Sequence, residues 1–181
     1  MTRVKFSGIV LNGGSSSRMG TPKGEMNVLG RPLIETAIDA LMEAGASEVM
    51  IVGGKPFELK EKDLRFIEDG YPGEGPLGGL VTGLLNARLD QAMVLSNDLM
   101  AIDGSTIRKI LEYSQMADLA IPMAGGVPQV LTALWKVSCL KVLESAFKAG
   151  SRSLKSVLED LDVLEILELD DAKFVNANTQ S

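Results

Sequence analysis

Short apolar runs that end abruptly in glycine set the tightest limit on what this chain can fold into. Residues 6–12 (FSGIVLN) lead straight into Gly13-Gly14, and Val49-Met50-Ile51-Val52 leads into Gly53-Gly54. A weaker run, Arg65-Phe66-Ile67-Glu68, precedes the Gly-rich stretch from Glu68 to Gly79. Continuous apolar runs of this length read as strands buried on both faces, and the glycines mark where the backbone leaves the sheet. Between them stand helical patterns. Residues 33–44 place Leu33, Ile34, Ala37, Ile38, Leu41 and Met42 on one face, with Gly45 to end the helix. Residues 76–88 begin with a proline at the first turn, and residues 105–116 are amphipathic. Further strands are expected at 93–96, 119–122, 130–135 and 163–169, with helices at 136–149 and 151–161. Strands alternating with helices predict an α/β fold with a largely parallel sheet. Ligands bind such sheets outside the carboxyl ends of the strands, where three of the glycine clusters would gather. No repeat or linker divides the 181 residues, which read as one domain.

Composition narrows the chemistry. The chain has no histidine and a single cysteine, Cys139. Histidine bases, Ser-His-Asp triads, histidine-ligated zinc, cysteine-cluster metal sites and intrachain disulfides are therefore excluded. Catalysis must rest on carboxylates, Lys, Arg, backbone groups and a hard cation. A net charge of −6 argues against a nucleic-acid surface. It leaves room for a nucleotide held by a few local cations and backbone N–H groups. No apolar run approaches the roughly 20 residues that cross a bilayer, and the N-terminal segment lacks a signal-type apolar stretch. The cytoplasm is the expected compartment, with no membrane partner, as a monomer or weak homo-oligomer.

The strongest motif is Leu11-Asn12-Gly13-Gly14-Ser15-Ser16-Ser17-Arg18-Met19-Gly20, followed by Lys23. Its glycines let backbone N–H groups face an anion, its hydroxyls add donors, and Arg18 and Lys23 can meet phosphate charge. It is neither a Walker A loop nor a dinucleotide fingerprint. About twenty residues separate it from the next helix, far more than a plain connection uses. Asp98 follows the strand ending in Ser96 and so falls at the same sheet edge. It stands too early to cap the next helix, for which Asp103 and Ser105 are better placed. A hard cation bridging phosphates needs one or two such carboxylates. Asp69 lies in a polar turn, where an Asx-turn is the ordinary role. Trp135, Met93, Met100 and Met116 are expected in the core. Arg152 and Lys155 can form a basic patch for a second phosphorylated substrate or simply a solvated helix face.

The segment from Gly8 to Gly20, with Lys23 and Leu29-Gly30-Arg31-Pro32-Leu33-Ile34, resembles the signature of the MobA-like nucleotidyltransferases. The resemblance continues through Ile67-Glu68-Asp69, Gly75-Pro76-Leu77-Gly78-Gly79-Leu80, Ser96-Asn97-Asp98-Leu99-Met100, Gln129–Trp135 and Phe174–Thr179. Guanylyl-transferring members match best. The resemblance implies a three-layer α/β/α Rossmann-like fold with a mainly parallel, mixed sheet. It also implies transfer of a nucleotide, GMP from GTP, to molybdenum-bound molybdopterin, with release of pyrophosphate. On the same basis Leu11, Asn12, Gly13, Gly14, Ser15, Lys23, Asp69 and Asp98 would hold the nucleotide. Arg18, Lys23 and Asp98 would be catalytic, and Asp98 would bind Mg²⁺. Asn176 and Asn178 fall in a segment placed near the acceptor, or cap the last turn.

Four positions depart from the pattern. Asn12 replaces the usual Ala, Pro22 replaces Asp, Asn97–Met100 replaces C-D-x-P, and Val52-Gly53 stands where an Asn often helps to hold the nucleotide. Val52 cannot hydrogen-bond a purine edge, so base recognition would fall to backbone groups or Asn12. Two alternatives share the fold and chemistry: cytidylyl transfer, and a sugar- or alditol-phosphate acceptor. A non-catalytic GTP-binding module is a different class, and the presence of Arg18, Lys23 and Asp98 speaks against it.

Overall fold

In a computed structural model, which describes residues 4–13, 27–28, 31–56 and 63–177, the first apolar run is the centre of the sheet. Strand β1 (Ser7–Leu11) is buried along its whole length. It pairs in parallel with β4 (Glu48–Val52) on one side and β6 (Gln91–Ser96) on the other. Its side chains alternate as the two-residue period of a strand requires. Val10 joins one core, while Ile9 and Leu11 join the other.

Those cores are the interfaces between sheet and helices. The first contains α1 (Ile34–Ala44), which buries Ile34, Ala37, Ile38 and Leu41, and α3 (Gly104–Leu111), which buries Ile107 and Ile110. The second contains α2 (Pro76–Asn86) and α4 (Leu140–Lys148), with Val157 of the short α5 (Leu154–Leu158). Two helical layers around one sheet give the expected three-layer architecture. Burying each large aliphatic or aromatic side chain contributes about 1.5–3 kcal/mol. Met42, expected on the packed face of α1, is 41% exposed at its margin. Gly45 ends that helix in the left-handed conformation, φ 89°.

The sheet order is β10-β7-β9-β6-β1-β4-β5, where β5 is Arg65–Ile67, β7 Leu119–Ala124, β9 Ala133–Lys136 and β10 Val163–Ile166. Strand β9 runs antiparallel to both β6 and β7, which makes the sheet mixed. A two-residue strand β8 (Val127–Pro128) folds back on β7 across the Gly125-Gly126 turn. The long connection before α1 contains a small antiparallel pair, β2 (Asn27–Val28) and β3 (Arg31–Pro32). The expected strand at 130–135 begins only at Ala133, because Thr132 N donates to Gln129 O at 2.8 Å and closes a turn. Helix α3 ends at Leu111, with successive three-residue turns taking the place of its predicted last turn. Val137–Cys139 forms a 3-10 turn ahead of α4. Trp135 and Met93 are core residues as expected, but Met116 is 64% exposed just past α3. Among the described residues no helix is long and apolar enough to cross a membrane.

Two carboxylates hold the ends of these elements. Asp103 caps α3, accepting from Thr106 N at 2.8 Å, and pairs with Lys173 at 2.7 Å. Burial works against its ionisation, but Lys173, Ser105 and Thr106 outweigh that and hold its pKa well below the usual carboxylate range. Glu48, at the start of β4, accepts from Ser7 Oγ at 2.7 Å and Arg88 N at 2.8 Å, and pairs with Arg65 at 2.6 Å. Burial again opposes ionisation, and these donors outweigh it, leaving Glu48 below its ordinary 4.5. A depressed carboxylate stabilises the fold above its unfolded-state pKa and loses that contribution as pH falls through the folded value. Thermal melts from about pH 7 down to about pH 3 should show stability declining once pH drops below the ordinary carboxylate range. Glu48→Gln should flatten that decline, and Asp103→Ala should cost about 1 kcal/mol at neutral pH.

Candidate functional site

Because β1, β4 and β6 are parallel and in register, Leu11, Val52 and Ser96 end at one level. The chain segments that leave them surround a cleft of about 760 Å³. That volume lies within the range of small-molecule sites. The floor is Leu11, Asn12, Gly13 and Val52 together with Ser96, Asn97 and Asp98. One wall is Asp69 with Gly73, Gly75, Pro76 and Gly79. The opposite wall is the turn from Pro128 to Thr132, and Asn176 closes one end. The N-terminal end of α2 thus meets the cleft, and unpaired N–H groups at a helix start favour an anion.

Of the predicted residues, Leu11, Asn12, Gly13, Asp69 and Asp98 meet in this cleft. Gly14, Ser15, Arg18, Lys23 and Asn178 lie outside the described residues. Asp69 makes the Asx-turn weighed for it and also lines the cleft. One oxygen makes the Asx-turn, accepting from Tyr71 N at 2.9 Å and lying 3.3 Å from Thr82 Oγ1. Its other oxygen faces Gly13, where an added Cβ would lie 3.6 Å away. The turn therefore fixes the carboxylate and leaves one oxygen directed at the start of the glycine-rich loop. Asp98 is half-buried, and its backbone carbonyl accepts from Ala177 N at 3.0 Å. Helix capping falls to Asp103 instead, as its position predicted.

Asn12 is held on two sides. Its N–H donates to Val52 O at 2.8 Å, and its Oδ1 accepts from Asn97 Nδ2 at 2.7 Å. Its Nδ2 packs over Gly54, whose φ is +71° and where an added Cβ would approach to 2.3 Å. Two of the four departures from the family pattern, Asn12 and Asn97, are thus bonded to each other.

Of the two readings of Arg152, a basic patch or a solvated helix face, the structure shows no open phosphate site. Arg152 ion-pairs with Glu74, its guanidinium lies 4.0 Å over the Phe147 ring, and Phe147 meets Tyr71 at a tilt of 54° with ring centroids 4.5 Å apart. This cluster ties the α4–α5 connection to the loop that carries Gly73 and Gly75. Lys155 is exposed. Burial, aided by Asp118, raises the Cys139 thiol to about 11, so the single cysteine stays protonated and is not a nucleophile. Sequence reasoning gave Gln129–Thr132 no role of their own. Their Gly-flanked hairpin was the available signal, but an apolar run masked it.

No three metal-ligating side chains cluster among the described residues. Two carboxylates in a cleft sized for a phosphorylated ligand suit a hard divalent cation, which takes its remaining oxygens from phosphate and water. They do not suit a fully protein-caged ion.

Residues 8–166 match the family model for the MobA-like NTP transferase domain. A probable molybdenum cofactor guanylyltransferase from Chloroflexus aggregans is 32% identical over 158 residues, covering 84% of this chain and 76% of the relative. The molybdenum cofactor guanylyltransferase from Xanthomonas euvesicatoria is 32% identical over 186 residues, covering 96% and 90%. Among solved structures, molybdopterin-guanine dinucleotide biosynthesis protein A from Archaeoglobus fulgidus superposes with a TM-score of 0.77 at 23% identity, covering 97% of this chain and 93% of that one. The 2-C-methyl-D-erythritol 4-phosphate cytidylyltransferase from Thermus thermophilus gives 0.74 at 17%, covering 97% and 95%. These two structures support the fold.

Gly54→Ala should displace the Asn12 amide and force a left-handed backbone on a residue with a Cβ. Urea unfolding should show a loss of about 1–2 kcal/mol. An unchanged midpoint would mean that the turn adapts and Asn12 is not fixed by it.

Proposed function

The chain belongs to the MobA-like NTP transferase family, and on that premise we propose that it transfers GMP from GTP to a phosphorylated molybdopterin acceptor. The observation that carries this reading is the convergence of Gly13, Asp69 and Asp98 on one cleft at the carboxyl ends of β1 and β6. Support for the nucleotide and acceptor comes from the relatives named guanylyltransferases, one of them matched over 96% of this chain.

In this reaction an oxygen of the acceptor's terminal phosphate attacks the α-phosphorus of GTP. The bond from that phosphorus to the bridging β-phosphate oxygen breaks, and pyrophosphate leaves with the bonding electrons. The attacking phosphate is already ionised near neutral pH, so no histidine base is needed. The protein's task is alignment and charge stabilisation. Gly13, which lines the cleft, is placed to offer its N–H to the triphosphate. Asp69, fixed by Tyr71 N and Thr82, offers its second oxygen to N–H donors on the nucleoside. Asp98 would hold Mg²⁺, and the ion would supply charge neutralisation for the phosphate oxygens. Arg18 and Lys23 supply the positive charge for the pentacoordinate transition state and the departing pyrophosphate. The turn at Gln129–Thr132, across the cleft from Gly13, faces the acceptor.

A second reading keeps the chemistry and changes the base. It rests on Val52, which lines the cleft without a polar group to offer a purine edge.

Incubation with Mg²⁺, molybdopterin acceptor and each ribonucleoside triphosphate in turn tests the proposal, with pyrophosphate release as the signal. Release with GTP alone supports guanylyl transfer, and release with CTP alone would replace it. Nucleotide binding without release for any of the four would sink the transferase assignment for this acceptor. Asp98→Asn and Lys23→Ala should each lower turnover on the order of 10²–10³-fold while leaving the melting temperature near that of the parent. Near-normal turnover in both would remove these residues from the mechanism.

A further inference from the structure

The ladder joining β1 to β6 stops at Leu11 and Ser96. On the β4 side backbone hydrogen bonds continue one step further, from Asn12 N to Val52 O at 2.8 Å and from Gly53 N to Ile67 O at 2.9 Å. On the β6 side the next rung is made by side chains, with Asn97 Nδ2 donating to Asn12 Oδ1 at 2.7 Å. Both residues are half-buried and both line the cleft floor. Their immediate successors are Gly13, which opens the glycine-rich loop, and Asp98. The turn after Asn97 is anchored from the far side, through Ala177 N to Asp98 O at 3.0 Å and Met100 N to Val175 O at 3.0 Å. An amide–amide bond therefore spans the gap between the two elements that, in the proposed reaction, meet the same triphosphate.

An apolar pair could fill this gap without desolvating two amides. A hydrogen-bonded pair adds what packing lacks, a fixed distance and a fixed direction. The Gly53-Gly54 turn keeps the Asn12 amide from swinging aside, since it lies against the face where a Cβ would be.

We infer that Asn12 and Asn97 form a positioning pair that sets the spacing between the start of the glycine-rich loop and the Asp98 carboxylate, and thereby tunes divalent-cation binding in the nucleotide complex. This rests on the reading of Asp98 as the cation ligand. The pair acts through Gly13 and Asp98, so its loss should register in cation affinity and turnover more than in nucleotide affinity.

A double-mutant cycle in the full chain tests it, using Asn12→Ala, Asn97→Ala and the combination. Mn²⁺ binding in the presence of GTP is followed by electron paramagnetic resonance, beside kcat and the KM for GTP. Each single variant should weaken Mn²⁺ binding and lower kcat by about three- to tenfold, the range of one net hydrogen bond. In Asn97→Ala the KM for GTP should change less than the Mn²⁺ affinity, and the double variant should match either single one in Mn²⁺ binding. Effects that multiply in the double variant, or Mn²⁺ binding unchanged in both singles, would overturn the pair. Glu48→Gln, which weakens the fold at the end of β4 opposite the cleft, should leave Mn²⁺ affinity as it is. A matching loss there would reduce the Asn12 and Asn97 effects to general destabilisation. Should Asn12→Ala fail to fold, Asn12→Ser, too short to reach Asn97, replaces it in the cycle. The parent protein separates the two layers of inference. Absence of GTP-dependent Mn²⁺ binding there removes the cation role of Asp98 and the pair's role with it. Normal parent binding with independent single variants removes the pair alone.

Discussion

Strand β1 gives its backbone hydrogen bonds to β4 on one edge and β6 on the other, and both of its faces are covered by helices. A strand with no free edge and no wet face has one register available, since a slip of one residue would exchange its two cores. The position of Gly13 follows from that register. So do the levels of Val52 and Ser96, because all three chains leave the sheet from the same rung. The cleft is the consequence of three parallel strands ending together, and its chemistry depends on which residue each places next. The other half of the sheet is joined through β9, which starts at that same edge and runs antiparallel away from it, so that the turn preceding β9 supplies the facing wall.

Electrostatics completes the picture. The chain carries a net charge of −6, and its described cleft presents Asp69 and Asp98. A triphosphate entering such a space meets like charge unless cations intervene. In the proposed reaction Arg18, Lys23 and a divalent ion would share that balance, with the start of α2 adding a partial positive charge of its own. Chemistry of this type needs no titrating base, which is why a chain without histidine can support it. The buried, protonated Cys139 takes no part.

Much of the fold was legible because local signals agreed. Ile9, Val10 and Leu11 before Gly13, and Met50, Ile51 and Val52 before Gly53, could belong only to buried parallel strands. The spacing of Ile34, Ile38 and Leu41 could belong only to a helix lying on them. The direction of β9 was not legible. Ala133–Lys136 is as apolar as the parallel strands, and only the chain reversal at β8 and the Gln129–Thr132 turn decides its orientation. Met116 shows a related limit, for helical spacing predicted burial beyond the point where α3 ends. At the site, Asp98 and Gly13 were readable from their places after strands. The bond between Asn12 and Asn97 was not, since it joins residues 85 positions apart and depends on register. Arg152 was read as open positive charge because nothing in the sequence ties it to Glu74 and Phe147.

The hairpin of β7 and β8 turns through two glycines with left-handed φ values, and Gly125, Gly126, Val127 and Pro128 are all exposed. It belongs to the far half of the sheet, while the other side of the cleft hangs from β1, β4 and β6. Chain length added at an exposed turn costs little in loop entropy, and surface connections absorb insertions without disturbing the elements they join. The two walls of the cleft are therefore free to diverge at different rates. One is bound to the hidden centre of the sheet, and the other is built on an exposed arm that can be lengthened, shortened or recomposed as the molecule it faces changes.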